Sequence, residues 1–197
     1  PPRSTLFPYT TLFRSLEARM PLAYVPDQPF LYDKLTGREF LEFVARMYNM
    51  DRPASLAGIE RLTAMFEMGE FLDQLTEGYS HGMKQRIVLA AALLHNPKVL
   101  LIDEPMVGLD PRTVRIVKDL MIEMARAGTT VFMSTHTLAV AQAIADRIGI
   151  IHHGRLIAIG TLAELQRQYS ETDSLEDIFL ELTTESDDDK APETIPA

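Results

Sequence analysis

Two adjacent carboxylates, Asp103 and Glu104, close the apolar run Val99-Leu-Leu-Ile. Such a run reads as a strand buried on both faces of a parallel sheet. Carboxylates at its end fall on the sheet's carboxyl edge, where open α/β sheets bind ligands. There one carboxylate can hold Mg2+, usually through water, while the next polarises an attacking water. Taken alone, the pair reads equally well as a strand ending in a polar turn. Upstream, Ser80-His81-Gly82-Met83 stands directly before a helical stretch. A Ser and a Gly at a helix N-terminus supply a hydroxyl, free backbone N–H groups and the positive end of the dipole, which together suit an anion. A plain capped helix has the same appearance. Downstream, Gly108-Leu-Asp110 follows the carboxylates, and His136 ends the next β-rich segment, a place where a lone His is ordinarily structural. Gln28, between Pro26 and Pro29, means little by itself.

These residues need elements to hold them. Leu22–Val25 is a short strand candidate, broken by Pro26 and Pro29 into a loop. Thr36-Gly-Arg-Glu39 is a capping box, and the helix it opens carries Phe40, Phe43, Val44, Met47 and Tyr48 at helical spacing. Pro53 predicts a break before a second helix over about Leu56 to Met68. Ser80 caps a third that runs to His95, where Asn96-Pro97 stops it. Asp110-Pro111 is an N-cap with Pro at the first helical position; that helix places Val114, Val117, Met121 and Met124 on one face and ends at Gly128. Thr129–Ser134 is β-rich and Thr137–Asp146 helical. Ile148–Ile151 and Arg155–Ile159 flank a His-His-Gly turn, and Thr161 opens a further helix. Strands alternating with helices predict an α/β fold with a mainly parallel sheet.

The order decides among the readings. A Gln loop, a helical stretch, Ser-x-Gly-x at a helix start, apolar-Asp-Glu-Pro, Gly-Leu-Asp and a strand-terminal His follow one another from Leu16 to Leu182. This series resembles the nucleotide-binding domain of ABC transporters. The resemblance implies a RecA-like P-loop NTPase fold, with a parallel sheet, helices on both faces and a helical subdomain. It implies ATP and Mg2+ as cofactors, with ATP sandwiched between two head-to-tail subunits. Gln28 looks like the Q-loop residue that touches Mg2+ and couples to a membrane partner. Ser80, His81, Gly82 and Met83 look like the signature motif, which contacts the γ-phosphate held by the opposite subunit. Asp103 resembles the Walker B aspartate of the Mg2+ shell, Glu104 the general base, Asp110 the D-loop residue at the dimer interface, and His136 the switch histidine. The implied partners are a separate transmembrane permease and a second ATPase subunit, with the protein peripheral on the inner, cytoplasmic face of the membrane. Leu35–Glu42 and Ser174–Leu180 resemble the ATPases of bacterial ABC-2-type exporters, leaving the cargo open. Tyr32 and Leu35 are the expected docking residues. A non-transporter ABC-type ATPase and a non-catalytic partner-binding subunit remain alternatives. The short Gln28–Ser80 segment speaks against the coiled-coil repair proteins, and the presence of Glu104 and His136 against a degenerate subunit.

Two departures stand out. The signature reads Tyr-Ser-His-Gly-Met, where the family more often has Leu-Ser-Gly-Gly-Gln. A phosphate-binding loop needs G-x-x-x-x-G-K-[ST], and no Gly in this chain is followed by Lys. The family's adenine-stacking aromatic, also expected ahead of the Q-loop, is missing too. Residues 1–15 begin without Met, repeat Thr-Leu-Phe and resemble the translation of a sequencing adapter. They are expected to be foreign, and the chain to be an N-terminally truncated fragment without ATPase activity of its own. The expected divisions are a partial ABC ATPase domain over 16–182 and a disordered acidic tail over 183–197. Within the domain, the helical subdomain covers about 30–79, the core 80–160 and the C-terminal helices 161–182.

Composition agrees. A net charge of −9 argues against a broad nucleic-acid footprint, which needs clustered Lys and Arg. The absence of Cys excludes disulfides and thiolate metal sites and fits a reducing cytosol. No apolar run approaches the ~20 residues of a spanning helix, so any membrane-spanning part is expected on another polypeptide.

Overall fold

In the computed structural model, which describes residues 19–169 and 174–188, strands and helices fall into two compact units. One runs through Ser134 and the other starts at Thr135. The segment 1–15 expected to be foreign lies outside the described residues, as do residues 189–197 of the expected tail.

The first unit is built on a parallel sheet of three strands in the order β1 (Leu22–Val25), β2 (Val99–Asp103), β3 (Thr130–Ser134). Register is pinned at its start, because the Lys98 and Val99 N–H groups both donate to the Pro21 carbonyl. Tyr24 then lies beside Leu101, Leu101 beside Phe132, and Asp103 beside Ser134. Alternation sends Ala23, Val25, Leu100 and Ile102 into the core. On the opposite face Tyr24 is 58% and Phe132 66% exposed. The central strand is therefore fully buried on one face only, where the sequence predicted two.

Between β1 and β2 come helices α1 (Gly37–Met47), α2 (Arg52–Met65) and α3 (His81–Leu93). The predicted capping box closes α1: Thr36 Oγ1 accepts from the Glu39 N–H, and the Glu39 carboxylate accepts from the Thr36 N–H. Its buried row is Phe40, Leu41 and Ala45, while Phe43 and Met47 of the predicted row stay exposed. The helix carries two apolar stripes, and α2 and α3 cover only one. Helix α2 starts four residues earlier than predicted. Asp51 caps it and Pro53 sits in its first turn, where a missing N–H costs nothing. It ends at Met65 because Glu67 adopts φ +52. Helix α3 is buried almost all round from Ile87 to Leu93 and packs on β1 as well as α1.

Helix α4 (Pro111–Arg126) joins β2 to β3, burying Thr113, Val117 and Met121. The second unit contains α5 (Leu138–Ile144), the antiparallel hairpin β4 (Ile148–His152) and β5 (Arg155–Gly160), α6 (Leu162–Tyr169) and α7 (Leu175–Asp188). Its core is Ile148, Ile150, Ala158, Leu165, Leu175 and Ile178, so the C-terminal helix packs against the rest of this unit. That helix runs into the segment expected to be disordered. Thr183 and Thr184 satisfy their hydroxyls by donating to the Phe179 and Leu180 carbonyls a turn earlier.

Candidate functional site

The parallel strands aim three segments at one sheet edge. β1 runs into the loop carrying an exposed Gln28; β2 ends in Asp103; β3 ends in Ser134. Asp103 and Ser134 are register partners, so their side chains share a face, and the Ser134 hydroxyl donates to Asp103 Oδ1. Pairing continues one residue further, with the Glu104 N–H donating to the Ser134 carbonyl at 3.0 Å. Glu104 then turns the chain sharply at φ +45, a conformation that costs a residue with a β-carbon about 1–2 kcal/mol. The turn is closed by Val107 N–H donating to the Glu104 carbonyl, 3.2 Å, and Leu109 N–H to that of Met106, 3.4 Å.

Asp110 ends this turn as the N-cap of α4. Its Oδ1 accepts from the Arg112 and Thr113 N–H groups, each at 3.0 Å, and its Oδ2 from the Thr113 hydroxyl at 2.6 Å. The Thr113 hydroxyl, then its N–H, hold the carboxyl below the usual carboxylate range. Both oxygens are thus engaged within the chain.

Ser80 caps α3, its Oγ accepting from the Met83 N–H at 3.3 Å. The Lys84 N–H is taken by the Ser80 carbonyl. Among the described residues no hydrogen-bond partner is found for the N–H groups of His81 and Gly82, and the first turn holds no acidic side chain. An uncapped pair of donors at the positive end of a 13-residue helix is a place for an anion. This helix start meets the turn after β2. Gly108, at φ +75, faces the His81 ring, and Gly82 faces the Gly108 carbonyl oxygen.

His136, exposed, lies in the second unit, held in a short turn in which Thr135 Oγ1 accepts from the Thr137 N–H at 3.1 Å. The sequence reading missed what holds the helix start from beneath. Tyr79, 6% exposed, donates its hydroxyl to the Phe71 carbonyl at 2.6 Å and accepts from the Gly37 N–H at 3.2 Å. Arg86 donates to the Phe66 carbonyl at the end of α2 and lies over the Phe71 ring. Thr76, wholly buried, donates to the Tyr32 carbonyl. The available signal was a Tyr where the family more often has Leu, because a buried Tyr ordinarily finds a partner for its hydroxyl.

No group of three or more His, Cys, Asp or Glu suited to a metal occurs among the described residues. The donors at the edge are hard oxygens: two carboxylates and the Gln28 amide. That set fits Mg2+, which keeps several waters and takes one or two carboxylates plus substrate phosphates rather than a closed protein cage. No helix among the described residues is long and apolar enough to cross a membrane.

Residues 11–107 match the ABC transporter family, a span that takes in the last five residues of the segment expected to be foreign. The ABC-type transporter ATP-binding protein EcsA of Bacillus subtilis is 38% identical over 168 residues, covering 85% of this chain and 68% of EcsA. The bacitracin transport ATP-binding protein BcrA of Enterococcus faecalis is 34% identical, over 75% of this chain and 48% of BcrA. A solved structure of an ATP-binding subunit of an ABC transporter superposes with a TM-score of 0.81 at 34% identity, over 85% of this chain and 70% of that one.

Proposed function

The chain belongs to the ABC transporter ATP-binding proteins, a family of ATPases, and on that premise we propose that its full-length form drives transport, in the export direction, by binding and hydrolysing ATP. What carries the reading is the single sheet edge to which the Gln28 loop, Asp103 and Glu104 all belong, with Ser134 bonded to Asp103. Chemistry of this kind works by positioning and charge neutralisation. Mg2+, when bound, neutralises the charge of the terminal phosphates. Asp103 and Gln28 would hold it, and the Ser134 bond fixes the orientation of the Asp103 carboxylate. Glu104 accepts the proton of the attacking water. His136 hydrogen-bonds the γ-phosphate. Ser80, the backbone N–H groups of His81 and Gly82, and Met83 meet the γ-phosphate of a nucleotide held by a second, head-to-tail subunit, and Asp110 stands at the same interface.

The membrane partner is a separate permease, with this protein peripheral on the cytoplasmic face of the membrane. Tyr32 supports that reading. It follows the Gln28 loop, is 49% exposed, and its ring contacts those of Phe30, Phe40 and Phe43, with Phe30 itself 72% exposed. Leu35 flanks it. An aromatic cluster of this kind gives a permease helix a rigid apolar seat.

The test is Glu104→Gln in the full-length native protein. Turnover should be lost while ATP binding, followed by equilibrium dialysis, is kept. Loss of ATP binding would remove Glu104 from the general-base role.

A further inference from the structure

The His81 position, where the family more often carries Gly, meets Gly108 of the turn after β2. A β-carbon built on Gly108 would lie 2.1 Å from His81 Cδ2 and 2.8 Å from Nε2. The space beside the Gly108 α-carbon is therefore filled by the imidazole. The fit is mutual, since a β-carbon on Gly82 would come within 2.9 Å of the Gly108 carbonyl oxygen. Two glycines thus let the first turn of α3 and the 104–110 turn press together, and His81 supplies the bulk that closes the contact.

What lies on either side gives the contact its meaning. On one side are the His81 and Gly82 N–H groups of the open helix end. On the other, the turn is bonded end to end: Val107 to Glu104, Leu109 to Met106, and Asp110 into α4. A displacement at Gly108 is passed by these bonds to the Glu104 carbonyl and to the start of α4. The Arg112–Glu67 ion pair, 2.5 Å, joins α4 to the end of α2 close by, but it is exposed on both sides and worth little by itself.

Resting on the ATPase reading above, we propose that His81 is a positioning residue. Its ring, seated on Gly108, locks the phosphate-facing start of α3 to the turn that carries Glu104 and Asp110, so that an anion bound at the helix start also fixes that turn. The ring acts through its volume, and its effect is on turnover rather than on nucleotide affinity.

The experiment is an exchange of bulk across the contact in the full-length native protein, with kcat and KM for ATP measured together. Gly108→Ala evicts the ring and is expected to lower kcat about tenfold, the scale of a misplacement well under 1 Å, with KM within about twofold. His81→Gly leaves the seat empty and should also lower kcat. The double variant relieves the clash but keeps a β-carbon at φ +75, so it should recover the share of turnover lost to the clash and leave the share lost to backbone strain. Thermal melts provide a readout independent of activity, since the double variant should melt above Gly108→Ala alone. The inference is overturned if the double variant is no better than Gly108→Ala in either readout, if His81→Gly leaves kcat unchanged, or if its loss appears in KM. His81→Gly changes an exposed residue at the first helical position and keeps the test open should Gly108→Ala fail to fold. An unmodified protein that hydrolyses no ATP would instead overturn the ATPase reading, and this inference with it.

Discussion

Tyr79→Phe removes one oxygen from beneath the Ser80 turn, and its cost follows from the partners of that oxygen. The Phe71 carbonyl loses the 2.6 Å donor but keeps the Gln74 N–H at 2.9 Å, so it is not stranded. The Gly37 N–H belongs to the first residue of α1, which has no acceptor within its own helix, and the Tyr79 oxygen is the partner found for it. Leaving that buried donor unpaired costs about 1–3 kcal/mol, and the lost bond to Phe71 has a net worth of about 1 kcal/mol. The ring contact with Phe71, edge-on at 5.1 Å, is retained by Phe. The expected destabilisation is about 2 kcal/mol, since the two contributions overlap. At a typical slope of about 2 kcal/mol per molar urea, the unfolding midpoint should fall by about 1 M. Urea titration followed by far-ultraviolet circular dichroism measures it, and the Gly37 amide should exchange faster with solvent. A midpoint shift below about 0.2 M, with Gly37 still protected, would refute the reasoning.

Thr76→Val keeps the volume but deletes the donor to the Tyr32 carbonyl, which retains the Leu35 N–H. It should cost about 1 kcal/mol in the same titration, and an unchanged midpoint would deny the hydroxyl a role in tying the Tyr32 loop to the turn before Tyr79. His95 stacks on Tyr48 at 3.6 Å, with both ring nitrogens buried and without a hydrogen-bond partner in the described structure. Burial pushes its pKa down, offset only in part by the nearby Leu22 carbonyl. The unfolded chain therefore binds the proton more readily, so this contribution is fully present above the ordinary histidine pKa of about 6.5 and is lost as pH falls from there through the lower folded value. The melting temperature should drop between about pH 6.5 and 5, above the carboxylate range, and His95→Phe should flatten that slope; an equal slope in both proteins would clear His95 of the effect.

Much of this was legible in the residues because the signals are local. A capping box needs only Thr36 and Glu39; an N-cap needs only Ser80 or Asp110; a strand that ends in Asp103 announces its own edge. What was illegible depends on partners far along the chain. Pro53 is the local exception: it looks like a breaker, although Asp51 just ahead of it caps the helix. Either stripe of α1 could have been the inner one, and only the placement of α2 and α3 decided for Leu41 and Ala45 over Phe43 and Met47. The Tyr79 hydroxyl joins residues 42 and 8 positions away, and His81 meets Gly108 across 27 positions. No periodicity within one segment encodes such pairs.

The backbone at Glu104 has a consequence for how such proteins can be improved. Its φ of +45 favours Gly, or failing that Asn, whereas the proposed chemistry demands a carboxylate on a longer side chain. Selection for heat resistance and selection for turnover then pull the same codon in opposite directions. A library screened only for folding would be expected to drift toward proteins that are sturdier and inert, and a screen must therefore monitor hydrolysis alongside folding.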